Sequence, residues 1–119
     1  YVDQKKIKVV GFPELRFGRA VPAFQKALKR LAKASDAVVV SFDLDAVVSS
    51  EAPGVSAPAV EGFGSDEMME MMEIAGGSRE VVSLGILELH PEHDIDGRTA
   101  RLAAVSAYHF VEQALFLGK

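Results

Sequence analysis

The sequence contains no cysteine, so disulfide bonds and thiolate metal sites are excluded for these 119 residues. A chain without cysteine is compatible with a reducing compartment, and we expect a cytoplasmic location. No apolar run approaches the roughly 18 residues that a membrane-spanning helix needs, and no signal peptide is visible. We therefore expect no membrane partner.

Positive charge is also scarce, since 13 lysine and arginine residues stand against 17 aspartate and glutamate residues, for a formal net charge of −4. This balance gives no general reason to expect a nucleic-acid partner. With 49% hydrophobic and 25% charged residues, the composition is typical of a folded globular domain. The length suits one domain, and a first residue that is Tyr1 rather than Met suggests a chain cut from something longer.

Strand-like and helix-like patterns alternate along the chain. In chain order they predict a strand at 8–12, a helix around 24–32, a strand at 37–43, a helix at 67–75 with Ser65 as its N-cap, a strand at 81–89 and a helix at 99–117. This order implies right-handed crossovers and a parallel α/β sheet. The strand at 81–89 is nearly continuous in apolar residues, which predicts a central strand covered on both faces.

Two loops separate these elements. Residues 46–64 form a long connection with several prolines and glycines, and such connections are often functional. Residues 90–96 are dense in possible ligands, but their spacing matches no known metal site. We interpret them as a polar loop in which Asp94 tethers the loop or caps the last helix. The methionines of the 67–75 helix are expected to be packing residues, and His109 a core or interface histidine.

The strand at 37–43 ends on two carboxylates, Asp43 and Asp45. Residues i and i+2 of a strand point the same way, and two neighbouring anions are unfavourable unless a cation or a shared proton compensates. The pair therefore suggests a metal site, with capping of backbone N–H groups as the alternative. Glu88 ends the next strand, so the parallel topology brings all three carboxylates to one sheet edge, where ligands commonly bind. A carboxylate such as Glu88 could hold a cationic substrate.

Several motifs in order resemble the ureohydrolase family of arginase, agmatinase and formimidoylglutamase. They are Ser41-Phe42-Asp43-Leu44-Asp45, Ala52-Pro53-Gly54, Gly62, Glu88-Leu89-His90-Pro91, Asp94, Gly97, Thr99 and Ala100. The resemblance covers residues 37 to about 110 and implies a three-layer αβα fold with a parallel sheet.

The resemblance also implies a chemistry. Asp43 would bridge two Mn²⁺ ions and Asp45 would hold one, and a hydroxide shared by the ions would attack an amidine or guanidine carbon. Glu88 would pair with the guanidinium or formimino group of the small-molecule substrate. The stretch at 52–58 is most similar to formimidoylglutamases, which split formimidoylglutamate into glutamate and formamide in histidine breakdown. Arginase or agmatinase activity is the alternative within the family.

The family's other metal ligands lie in a Gly-Gly-Asp-His stretch and an Asp-Ala-His-x-Asp stretch, and this sequence contains neither. Residues 1–119 are therefore expected to be the C-terminal segment of a single arginase-like domain. The isolated segment is expected to be inactive. It is also expected to need its N-terminal portion or further copies of itself, as a homo-oligomer, to cover its open sheet edge and flank.

Two other classes compete with this interpretation. The segment Phe42-Asp43-Leu44-Asp45 also resembles the first motif of haloacid-dehalogenase phosphatases, with Asp43 as nucleophile and Asp45 as acid/base. That hypothesis lacks the glycine-threonine after the motif and a convincing catalytic lysine. The third possibility is a non-catalytic truncated domain that only packs against a partner.

Overall fold

A computed structural model describes residues 7–117. Its regular elements are α1 (Phe12–Leu15), α2 (Ala20–Ala34), β1 (Val38–Asp43), α3 (Ser65–Gly76), β2 (Val81–Leu87) and α4 (Arg98–Glu112). Short 3₁₀ turns follow each strand at Leu44–Ala46 and Pro91–His93, and a π turn at Gln113–Leu117 extends α4. Within residues 7–117 no helix is long and apolar enough to cross a membrane.

The two strands pair in parallel, as the alternating pattern predicts. Val38 lies opposite Val81 at one end and Asp43 lies opposite Leu87 at the other, with a shift in register after Val38. The crossover between the strands contains the 46–64 loop and α3. Both strands therefore present their carboxyl ends at the same edge of the sheet.

One face of the sheet packs into the core, because alternate residues of a strand point to the same side. Val38, Val40 and Phe42 of β1 are buried there, against apolar side chains of the helices. The buried helix residues nearest this face include Leu28, Met68, Met71, Met72 and Ala75. The methionines of α3 are thus packing residues, as predicted.

The opposite face of the sheet is open in residues 7–117. It carries Val39, Ser41 and Asp43 beside Leu87, and the Val39 and Leu87 side chains are 69% and 50% exposed. The expectation that the 81–89 strand is covered on both faces is therefore wrong for the described part of the chain. The apolar run favoured burial on both sides, but the helices described here cover only one of them.

The predicted strand at 8–12 is also wrong. Residues 7–11 have no regular structure, and Phe12 begins α1, with Pro13 in the first turn, where its fixed φ favours helix. The Gly11 N–H donates to the Glu14 carboxylate at 3.1 Å, which helps to close this turn. Phe12 packs edge-on to Phe63 of the long loop, with ring centroids 6.1 Å apart. Phe12 therefore serves a helix-to-loop contact, while Val9 and Val10 are exposed.

The start of α3 differs from the prediction by one residue. Gly64, not Ser65, is the N-cap, and its N–H donates to the Glu67 carboxylate at 3.1 Å. Ser65 is the first helical residue, and its N–H is bound by Glu51 at 2.6 Å. A carboxylate at the third helical position can satisfy the N-cap amide, so the serine hydroxyl is not needed.

Candidate active site

The structure separates the conformations of the two aspartates. Asp43 is the last residue of β1 and exposed, whereas Asp45 lies in the following 3₁₀ turn and is partly buried. The prediction that Asp43 and Asp45 are residues i and i+2 of one strand is therefore wrong, because the strand ends before Asp45. Leu44 between them is fully buried in the core and fixes the turn.

Neither aspartate has a charged partner among the residues that the structure describes. Asp43 occupies the N-cap position of the 3₁₀ turn, yet its side chain makes no capping hydrogen bond. Among residues 7–117, no lysine, arginine or histidine lies within ion-pair distance of Asp43 or Asp45. The capping alternative for Asp43 is therefore not what the structure shows. Its exposed carboxylate forms no ion pair with the residues at 7–117.

Glu88 lies at the same edge of the sheet, as predicted from the topology. Its neighbour Leu87 is the register partner of Asp43, and adjacent strands lie only about 4.8 Å apart. Glu88 has a φ of 69°, a left-handed conformation that costs a non-glycine residue on the order of 1–3 kcal/mol. Such conformations persist where the surrounding contacts fix them, and they are concentrated at functional sites. Nothing in the sequence signalled this backbone angle.

The segment that follows β2 is held by the long loop through three consecutive pairings. The His90 N–H donates to the Gly54 carbonyl at 2.8 Å, and Val55 forms an antiparallel bridge with Leu89. The Ser56 hydroxyl donates to Oε2 of Glu88 at 2.9 Å. Loop residues 54–56 thus run antiparallel to residues 88–90 and secure the glutamate.

The same loop is anchored to the start of α4. The Gly54 N–H donates to Oγ1 of the fully buried Thr99 at 2.8 Å. Asp94 accepts hydrogen bonds from the N–H groups of Thr99 and Ala100, at 2.9 and 3.0 Å, which confirms that it caps the last helix. A Cβ at Gly54 would lie 2.6 Å from the Asp94 Cβ, so only glycine fits between loop and cap. In the sequence, Thr99 stands out only as part of a motif. Its hydrogen bond with Gly54 is visible only in the folded structure.

The three histidines contact one another or other protein groups. The rings of His90 and His93 are stacked with centroids 4.0 Å apart, and Nδ1 of His93 lies 3.3 Å from the Val55 carbonyl oxygen. His109 Nδ1 lies 2.8 Å from Oε1 of Glu73, between α4 and α3, as expected of an interface histidine. In the described part of the chain, no group of three or more metal-ligating side chains could hold an ion.

The cap at Asp94 makes stability depend on pH. Desolvation raises the pKa of Asp94, but hydrogen bonds from Ala100 and Thr99 outweigh it and hold the pKa below its ordinary value. A carboxyl whose pKa is lower in the folded state contributes stability above its unfolded pKa, and this contribution is lost as the pH falls through the folded pKa.

We therefore expect Asp94→Asn to lower the melting temperature at pH 7. The difference from the natural protein should shrink as the pH falls below about 4, the ordinary pKa of an aspartate carboxyl, and should be lost below the lower pKa of the folded carboxyl. Asp36→Asn, at an exposed aspartate before β1, is the matched control and should change little. A melting difference for Asp94→Asn that stays constant from pH 7 to pH 3 would contradict this role.

Comparison with known proteins defines the class to which this fold and site belong. The model of the arginase family matches residues 1–112, so the chain belongs to the arginase family. The phosphatase alternative is thereby wrong as to family. The arginase-like α/β fold with a parallel sheet is likewise confirmed by solved structures.

Particular relatives are similar over nearly the whole chain. Formimidoylglutamase from Staphylococcus aureus (strain JH9) is 34% identical over 112 residues, which cover 94% of this chain and 36% of that protein. Trypanosoma cruzi formiminoglutamase, solved with Mn²⁺, has a TM-score of 0.83 and 32% identity, covering 93% of this chain and 37% of its own. Bacillus subtilis arginase has a TM-score of 0.80 and 28% identity, with 98% and 40% coverage.

Bacillus subtilis formimidoylglutamase has a TM-score of 0.91 at 24% identity, covering 99% of this chain and 37% of its own, and supports the fold alone. The chain spans about a third of the length of the curated relatives it matches, 36% in the example above.

Proposed function

We propose that the full-length protein, meaning the longest natural chain that contains these 119 residues, hydrolyses a linear amidine C–N bond. We further propose formimidoylglutamate as substrate, with glutamate and formamide as products. The observation that carries this proposal is that β1 ends on Asp43, with Asp45 two residues on, at the sheet edge where β2 leads into Glu88. Membership of the arginase family and similarity to formimidoylglutamases support it.

We propose that Asp43 and Asp45 would be among the ligands of manganese, of which the complete enzyme would hold two ions. The donors fit in kind, because Mn²⁺ accepts carboxylate oxygens and Asp43 and Asp45 have no cationic partner among residues 7–117. Two ions, when bound, would supply activated water at neutral pH. Two aspartates are too few ligands for two ions. We therefore propose that the remaining ligands lie in a portion N-terminal to this segment. The short span relative to the relatives supports this division.

Glu88 is proposed to bind the substrate. From the described residues, its exposed carboxylate receives one hydrogen bond, from Ser56 to Oε2. The charge and remaining acceptor capacity of this group suit the N–H donors of an amidinium or guanidinium cation. In this role Glu88 turns the reacting carbon of the substrate toward the aspartates at the neighbouring strand end.

A cytoplasmic location and a homo-oligomeric assembly remain part of the proposal. The open face of the sheet around Val39 and Leu87 supports the need for further protein surface there, supplied by the N-terminal portion or by another copy.

A substrate panel tests the proposed activity. The manganese-loaded full-length protein should hydrolyse formimidoylglutamate with a kcat/KM at least roughly 100-fold above those for arginine and agmatine. Formamide and urea release are the readouts. Faster urea release from arginine or agmatine would transfer the assignment to those activities, and no turnover of any amidine would refute it. The 119-residue segment alone should release neither product.

A further inference from the structure

The contact between Ser56 and Glu88 follows from backbone pairing. His90 donates to Gly54, and Val55 pairs with Leu89. The next step of the same antiparallel register places Ser56 opposite Glu88, where the hydroxyl donates to Oε2 at 2.9 Å. The hydrogen bond is therefore specified by the loop rather than by a chance meeting of two surface side chains.

The loop residues that precede Ser56 are packed into the protein. Ala52 and Val55 are fully buried, and the Gly54 N–H is bound by Thr99 inside the structure. An exposed glutamate otherwise has several rotatable bonds and would sample many rotamers. A hydroxyl on a fixed loop, acting together with the constrained backbone of Glu88, restricts that sampling.

We propose that Ser56 is a positioning residue that orients the Glu88 carboxylate toward the amidinium group of the substrate, an inference that rests on the proposed function. Ser56 occupies Oε2, while Oε1 receives no hydrogen bond from residues 7–117 and is left for a substrate N–H. A carboxylate that is held in place before the substrate arrives loses less conformational entropy on binding. Ser56 acts through Glu88 and touches no reacting atom.

Steady-state kinetics of the manganese-loaded full-length protein with formimidoylglutamate test this role. Ser56→Ala should raise KM by roughly 3- to 30-fold, the range expected for losing one hydrogen bond to a charged group at an exposed site. The kcat should stay within about threefold, because the lost interaction serves substrate and transition state alike. Ser56→Thr keeps the hydroxyl and should restore KM, and melting temperatures should be unchanged.

The chain offers a matched control at the other end of β2. The Ser78 hydroxyl donates to Oε2 of Glu80 at 3.0 Å, a contact of the same kind that lies before the strand. Ser78→Ala should leave KM unchanged. Equal KM values for Ser56→Ala and the natural protein, or a failure of Ser56→Thr to restore KM, would overturn the role of Ser56 while leaving the proposed function intact. Absence of formimidoylglutamate hydrolysis by the natural protein itself would overturn both.

Discussion

Replacing Asp43 by alanine is expected to lower the kcat of the manganese-loaded full-length protein by about a thousandfold or more, as removal of a central catalytic group does in other hydrolases. Asp43 ends β1 beside the residue that precedes Glu88, and its side chain has no capping role. Its loss should therefore remove chemistry without removing a structural contact. Formamide release under saturating formimidoylglutamate is the measurement.

The control for this variant is Asp36→Ala. Asp36 is an exposed aspartate just before the same strand, so its replacement changes the net charge equally. It should retain full activity, and both variants should melt close to the natural protein. Turnover of Asp43→Ala near the natural rate would refute the assignment of the strand-end carboxylates.

Gly54→Ala is expected to destabilise the protein by about 3 kcal/mol, the upper range for a group forced into a packed site. The new methyl group would lie 2.6 Å from Cβ and 2.8 Å from Cα of Asp94. Relieving this overlap moves the loop away from α4 and breaks the bond from Gly54 to Thr99. Because Ser56 lies two residues after Gly54, its hydrogen bond to Glu88 should be disturbed as well, and the KM for formimidoylglutamate should rise.

Gly85→Ala is the matched control, since a Cβ at Gly85 meets only Ser41 Oγ, at 4.0 Å. A glycine-to-alanine change in a strand with room for the methyl group should alter stability by less than about 1 kcal/mol. Thermal and urea unfolding of both variants provide the comparison. Equal stabilities of the two variants would show that the loop accommodates the methyl group and that the packing of Gly54 against Asp94 is not tight.

The strands that carry the site could be predicted from the sequence because their apolar runs are long and end on charged residues. The predicted strand at 37–43 begins one residue before the observed β1, and the predicted strand at 81–89 ends two residues after the observed β2. Parallel topology then placed the carboxylates at one edge without any knowledge of distances. This step needed only the order of elements and the direction of the chain.

The contacts that fix the site could not be predicted in this way. The left-handed backbone at Glu88 and the hydrogen bond from Ser56 depend on how a 19-residue connection, 46–64, folds back on the segment after β2. No local pattern specifies such a return. The prediction of a strand at 8–12 was wrong for a related reason. A short apolar run becomes a strand only where a neighbouring strand offers a partner. Phe12 instead contacts Phe63 of the long loop.

Asp43 and Asp45 are proposed to bind the metal of an amidine hydrolase, and the metal content of the protein reports on this binding. Full-length protein dialysed against Mn²⁺ should retain two ions per chain by elemental analysis, and Asp43→Ala should retain fewer than one. The Asp36→Ala control should retain two. A natural protein that takes up no manganese, or an Asp43→Ala variant that still holds both ions, would contradict the account.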